Sequence, residues 1–193
     1  MMRFSPAFTQ PTACRMLALT LATIITIGHR TLSATLMVAS GLLTGHCSTD
    51  YRLFSRPAWS TWSVGRILAD IVIELAPPVE LVVDDRTTEH PGRNVWGKAK
   101  HRDAVRSSHS LTKWIWGHKW VVLAVTIRFP WPNRPWALPV LFALHTPQEE
   151  SQRLGRKHRT AGKLARILIR RLLGWFPERR LVLTGGGQSP HTR

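Results

Sequence analysis

The chain has 193 residues, with 27 Lys+Arg against 11 Asp+Glu and a formal net charge of +16. Its 44% hydrophobic content is ordinary for a globular protein and leaves room for a core, while the length limits it to one domain or a small domain plus part of a larger one. The charge points to a polyanionic partner (DNA, RNA or an anionic membrane surface) and carries no information on sequence specificity. Cys14 and Cys47 have no metal-ligand spacing and are too few for a disulfide framework, which places the chain in a reducing compartment.

The first part of the chain reads as helical. Residues 16–28 (MLALTLATIITIG) are apolar but too short for a typical membrane span. They have the length of a signal-peptide core and follow Arg3 and Arg15, yet Gly28-His29-Arg30 stands where a cleavage site would be. A buried helix is the expectation, with a signal peptide or anchor as the alternative. A second helix is expected over 31–43 with Thr31 as N-cap, and a third over 48–54, stopped by Arg56-Pro57. The clearest helical pattern covers 59–76, where Trp62, Arg66/Ile67, Ala69/Asp70 and Ile73 share a spacing that Pro77-Pro78 ends.

Beyond those prolines the period changes. Residues 79–83 form a β-branched run consistent with a buried strand ending on Asp84-Asp85. A polar, basic stretch over 86–113 reads as loop, followed by strands over 114–129 and 136–145. Pro139 in the latter implies an edge position or a bulge. A helix opened by Ser151 or Thr160 runs to about Phe176, with Leu164, Ile167, Leu168 and Leu172 on one stripe, and a last strand covers 180–183. The fold class is therefore α/β, or α+β overall: an N-terminal helical region (1–76), then a mixed sheet in the order β-β-β-α-β (77–184), then an irregular tail (185–193). One crossover helix covers only part of such a sheet, so further helices are expected beyond it.

Asp84 and Asp85 are the sharpest chemical feature. Two carboxylates on a buried strand are costly unless compensated, and a hard divalent cation such as Mg²⁺ or Mn²⁺ compensates them. Adjacent strand residues point to opposite faces, so one of the two at most serves a given face. A strand-ending turn, where Asp bonds locally, explains the pair equally well. The stretch 98–110 (KAKHRDAVRSSHS) offers Lys98, Lys100, Arg102 and Arg106 for phosphates, or is simply a solvated basic loop. Around 153–171 the chain is basic without acids, and Arg156, Lys157, Arg159 and Lys163 are candidate backbone contacts, with a solvated face as the alternative. His101, Asp103 and His109 have no zinc spacing. The tryptophans of the β region read as core and strand-pair residues, with base stacking as the alternative.

Three stretches carry a resemblance: MMRFSPAFTQPT at the start, LVVDDRTTEHPGRNVWGKAKHRDAVRSSHS at 81–110 and WALPVLFALH at 136–145. They resemble bacterial insertion-sequence transposases of the DDE type, over most of the chain to about Thr184. The resemblance implies a partial RNase H-like core, cytoplasmic action on transposon-end DNA, and two-metal chemistry with Mg²⁺ or Mn²⁺ held by carboxylates. It makes Asp85 the first catalytic aspartate and metal ligand, with Asp84 as fallback, although Arg86 follows where the family usually has Thr. The second aspartate would fall near Gly186, where the chain reads Thr184-Gly185-Gly186-Gly187, and no carboxylate follows Glu178. The expectation is a truncated copy that binds the metal weakly, is inactive alone and is able to meet an intact transposase. Rival readings are a DNA-binding remnant without catalysis and a small basic RNA- or membrane-surface-binding protein.

Overall fold

The computed structural model describes residues 2–56, 58–75, 79–92, 94–103 and 106–185. After a short 3-10 turn at Met2–Phe4 come helices α1 (Gln10–Ile25), α2 (Leu32–Val38), α3 (Ser48–Ser55) and α4 (Thr61–Glu74). Strands β1 (Val79–Glu89), β2 (Ala99–Arg102), β3 (Trp114–Ile127) and β4 (Trp136–His145) follow, then α5 (Gln148–Arg153), α6 (Ala161–Trp175) and β5 (Leu181–Gly185). Two compact units result, one up to Ile67 and one from Leu68 onward.

In the first unit, Thr31 caps α2 by accepting from the Ala34 N–H, as its position predicts. The buried Asp50 of α3 receives the Arg15 guanidinium of α1 at 2.7 Å, and the same side chain donates to the Thr44 carbonyl at 2.7 Å. One arginine thus compensates a buried charge and closes a backbone acceptor. The expectation of a buried helix over 16–28 holds for one side of α1 only. Leu19 and Ala22 are buried, whereas Leu17, Leu21, Ile24 and Ile25 are exposed. Three short helices have too little surface to cover every side of an all-apolar segment.

In the second unit the sheet is built around β3. Its one edge pairs antiparallel with β1, from Glu80↔Thr126 to Glu89↔Gly117. Its other edge pairs with β2 near its start and with β4 along the remainder. β5 adds to β1 in parallel, from Val79↔Leu181 to Val83↔Gly185, and Thr184 Oγ1 donates to the Leu81 carbonyl at 3.0 Å. The three-strand meander, crossover helix and parallel fourth strand match the mixed, partial RNase H-like sheet expected from the sequence. Pro139 satisfies both of its expectations: β4 is an edge strand, and its register with β3 shifts at Leu123/Ala124. Pro lacks the donor that a central ladder requires.

Period-2 alternation divides the sheet into two faces. Leu81, Val121, Leu123, Val125, Ile127 and Leu141 form the inner face, buried with Leu164, Leu168 and Leu172 of α6 and Ala69, Val72 and Ile73 of α4. The α6 stripe is the one its spacing predicts, and Thr160 caps the helix by accepting from the Lys163 N–H. Ser151 instead lies inside a separate helix, α5, whose N-cap is Pro147, so of the two alternative starts Thr160 is the one that opens the long helix.

Two expectations are corrected. β1 does not end at Asp84-Asp85 but continues to Glu89, because β3 offers it a partner along that whole length. The basic stretch 86–113 is not all loop: within it β2 pairs with 114–117 of β3. Its alternation was visible in AKHR, where Ala99 and His101 are buried and Lys100 and Arg102 exposed, but four residues with two cations and a histidine give little hydrophobic signal.

Gly117 marks the tightest approach in this sheet, since a Cβ there would collide with the Thr88 carbonyl and come within 3.0 Å of the Glu89 Cα. Gly117→Ala is expected to lower stability by about 2 kcal/mol or more, as backbone cannot yield as a side chain does. Gly174→Ala in α6, where a Cβ meets open space, is expected to raise it by about 0.5 kcal/mol. Urea midpoints of the two variants check both signs.

Candidate active site and nucleic-acid interface

The pleat separates the two aspartates. Asp85 pairs with Val121 and shares the inner face, while Asp84 pairs with Val122 and faces the opposite side. Asp84 accepts the Asp85 N–H at 2.8 Å through Oδ1, the local bonding typical of Asp on an exposed backbone. The sequence argument that one carboxylate at most serves each face is therefore met.

Around Asp85 the inner face turns polar. Lys119 Nζ lies 2.9 Å from Asp85 Oδ2, with the Asp85 side chain 46% exposed. His145 of β4 pairs with Lys119, and its ring is 6.1 Å from those of His101 and His158. Burial pushes the His101 imidazole down to about 4, helped by the neighbouring charges of His145, Lys119 and His118 and opposed by a bond to the Gly117 backbone. Burial also lowers His145, followed by Lys119 and His158, while Asp85 opposes the shift. His101 Nε2 and His145 Nδ1 have no hydrogen-bond partner. Neutral imidazoles tolerate this position because protonation would add charge beside Lys119.

A divalent cation does not fit this arrangement well. Among the described residues no three His, Cys, Asp or Glu side chains converge to hold one. The Asp85 carboxylate is already neutralised by an ammonium that would repel a second cation. The position expected for a second aspartate, near Gly186, lies outside the described residues.

The cations predicted to meet DNA do not form one patch. Lys98 and Lys100 lie over the rings of Trp116 and Trp114, at 5.9 and 5.2 Å from the ring centroids. Arg102 lines a groove of about 500 Å³ with Ser107, Ser108, His109, Thr112 and Trp114. Arg106 sits apart, 3.6 Å from Asp103, which offsets part of its charge. Arg156 stacks 4.6 Å over Trp96, and Lys157, Arg159 and Lys163 line one groove with His158, Arg166 and Arg170. Residues 163, 166 and 170 share a helical face, which gathers on one side much of the charge that the sequence left unassigned. Among the described residues no helix is long and apolar enough to cross a membrane.

A family model of DDE superfamily endonucleases matches residues 3–191. The chain belongs to this family. Its members are nucleases of the transposase type, DNA is the substrate the family implies, and divalent metal ions serve its chemistry in general. The match takes in the N-terminal helices as well as the sheet. Searches of curated proteins and of solved structures returned no significant match. Sequence reading missed Lys119 and His145, because only strand register brings them near Asp85, and His158, which reaches His145 from the segment between α5 and α6.

The histidines give a pH test. An imidazole whose pKa is lowered by folding binds more protons in the unfolded chain, so stability falls as pH drops from about 6.5 toward about 4 and is retained above 6.5. His101→Phe, which replaces an unpartnered buried nitrogen with apolar surface, is expected to flatten the dependence of the urea midpoint over that window.

Proposed function

We propose that this chain is an insertion-sequence transposase-type protein that binds transposon-end DNA through its basic surfaces and does not cleave DNA by itself. The observation that carries this reading is the state of Asp85: Lys119 holds its carboxylate at 2.9 Å, and among the described residues no three potential ligands converge on a metal position. A two-metal centre depends on several fixed carboxylates that hold the metals and clamp charge, and one ion-paired carboxylate supplies neither function. In this reading residues 1–76 assist DNA recognition, residues 77–184 form the catalytic-type core, and Asp85 marks the first catalytic position. An intact copy of the transposase is, in this reading, a partner that contributes further carboxylates, with Mg²⁺ or Mn²⁺ bound tightly in that assembly.

The DNA-binding half of the proposal rests on the groove of Lys157, Arg159, Lys163, Arg166 and Arg170, which is exposed and has no acidic lining residue among the described residues. Each neutralised phosphate contributes about −0.9 to the slope of log K against log salt for duplex DNA. Fluorescence anisotropy with a labelled duplex is expected to show steep salt dependence, and the double variant Lys163→Gln, Arg166→Gln is expected to reduce the slope by about two. Incubation of a labelled transposon end with Mg²⁺ or Mn²⁺ is expected to leave it uncut. Metal-dependent nicking abolished by Asp85→Ala would overturn the proposal.

A further inference from the structure

The face of the sheet opposite Asp85 is not a plain solvated surface. Trp114 and Trp116 are each more than half exposed, at 53% and 56%. They stand two residues apart on β3, which sets them on one face about 6.8 Å from each other. Their cross-strand partners are Arg102 and Lys100 of β2. Each ring carries an ammonium: Lys100 over Trp114 and Lys98 over Trp116. The exposed Trp96 has the Arg156 guanidinium over it and shares a groove with Trp116 and Lys98. Ser107, Ser108 and His109 line the groove beside Trp114 with polar groups.

We propose that this face binds an unpaired DNA strand, with bases on Trp114 and Trp116 and phosphates on Lys98, Lys100 and Arg102. The spacing of the two residues along the strand is about twice the 3.4 Å rise of a stacked strand. A strand that follows the rings must therefore be drawn out of its own stack, which a duplex cannot do while keeping its pairs. Exposed indoles offer every base a π-face without reading sequence. Each lysine lies over a ring in the free protein, and a base that stacks on Trp114 releases the Lys100 ammonium toward the adjacent phosphate, while Lys98 is held beside Trp116 by the Gly92 carbonyl at 2.7 Å. Exposed tryptophans flanked by cations rather than by apolar side chains suit a polyanion better than a protein core. Family membership selects DNA over RNA. The site is separate from the α6 groove proposed for duplex DNA, and it requires no cleavage.

The test uses the full chain and three fluorescein-labelled probes of equal length: a deoxythymidine 20-mer, a uridine 20-mer and a mixed-sequence duplex. The deoxythymidine strand is expected to bind at least about tenfold more tightly than the duplex and to quench tryptophan emission. Trp114→Leu with Trp116→Leu is expected to weaken the single strand by at least about tenfold and leave duplex affinity within about twofold, and the matching Phe pair is expected to restore much of the loss. Lys100→Gln is expected to reduce the single-strand salt slope by about 0.7. Retained duplex affinity establishes that the Leu variant is folded. Equal affinity for duplex and single strand, an unchanged Leu variant, or a clear preference for the uridine strand overturns this inference while leaving duplex binding intact. Failure to bind any DNA overturns the proposed function as well.

Discussion

The arrangement depends on the antiparallel pairing of β3 with β1. Ten consecutive residues of β1, from Glu80 to Glu89, find partners on β3, and the opposite edge of β3 holds β2 and β4 in succession. A ladder of this length fixes which side every residue faces, because a slip of one residue would exchange the buried and exposed sets of the strand. The apolar half settles the register: Val121, Leu123, Val125 and Ile127 are almost fully buried and cannot trade places with their neighbours. The polar half of the same strands follows without choice. Asp85 and Lys119 go inward, and Asp84, Trp114 and Trp116 outward.

One set of pairings thus produces two surfaces of different character. On the inner face, burial by α6 fades toward the Asp85 end, where an ion pair and a group of imidazoles replace the aliphatic core. The Asp85–Lys119 pair is partly solvated, so its own contribution to stability is at most about 1 kcal/mol. On the outer face the same strands place indoles and cations alternately. That pattern leaves much apolar ring surface exposed, a cost the fold accepts only where the surface has a use or a cover.

The helical unit is governed by a different constraint. Its buried polar contact, Arg15 with Asp50, joins α1 and α3, while much of the apolar surface of α1 stays exposed. A buried charge pair orients elements well and stabilises them weakly. The unit therefore has a defined internal geometry around a small core.

The sequence by itself determined the helix over α6 with its Leu164, Leu168 and Leu172 stripe, the N-caps Thr31 and Thr160, the strands β3 and β4, the exceptional place of Pro139 and the basic character of the surface. Each is a local property, carried by period, capping chemistry or charge. The resemblance in 81–110 and 136–145 pointed to the family that the match over 3–191 establishes. Sequence did not reveal that β1 runs past its two aspartates, that AKHR is a strand, or that Lys119 meets Asp85. Those depend on pairing between distant segments, which leaves no periodic mark in polar residues. Only the tertiary structure decided which aspartate faces the covered side and what stands beside it, because register is set by the burial of other residues on the same strands.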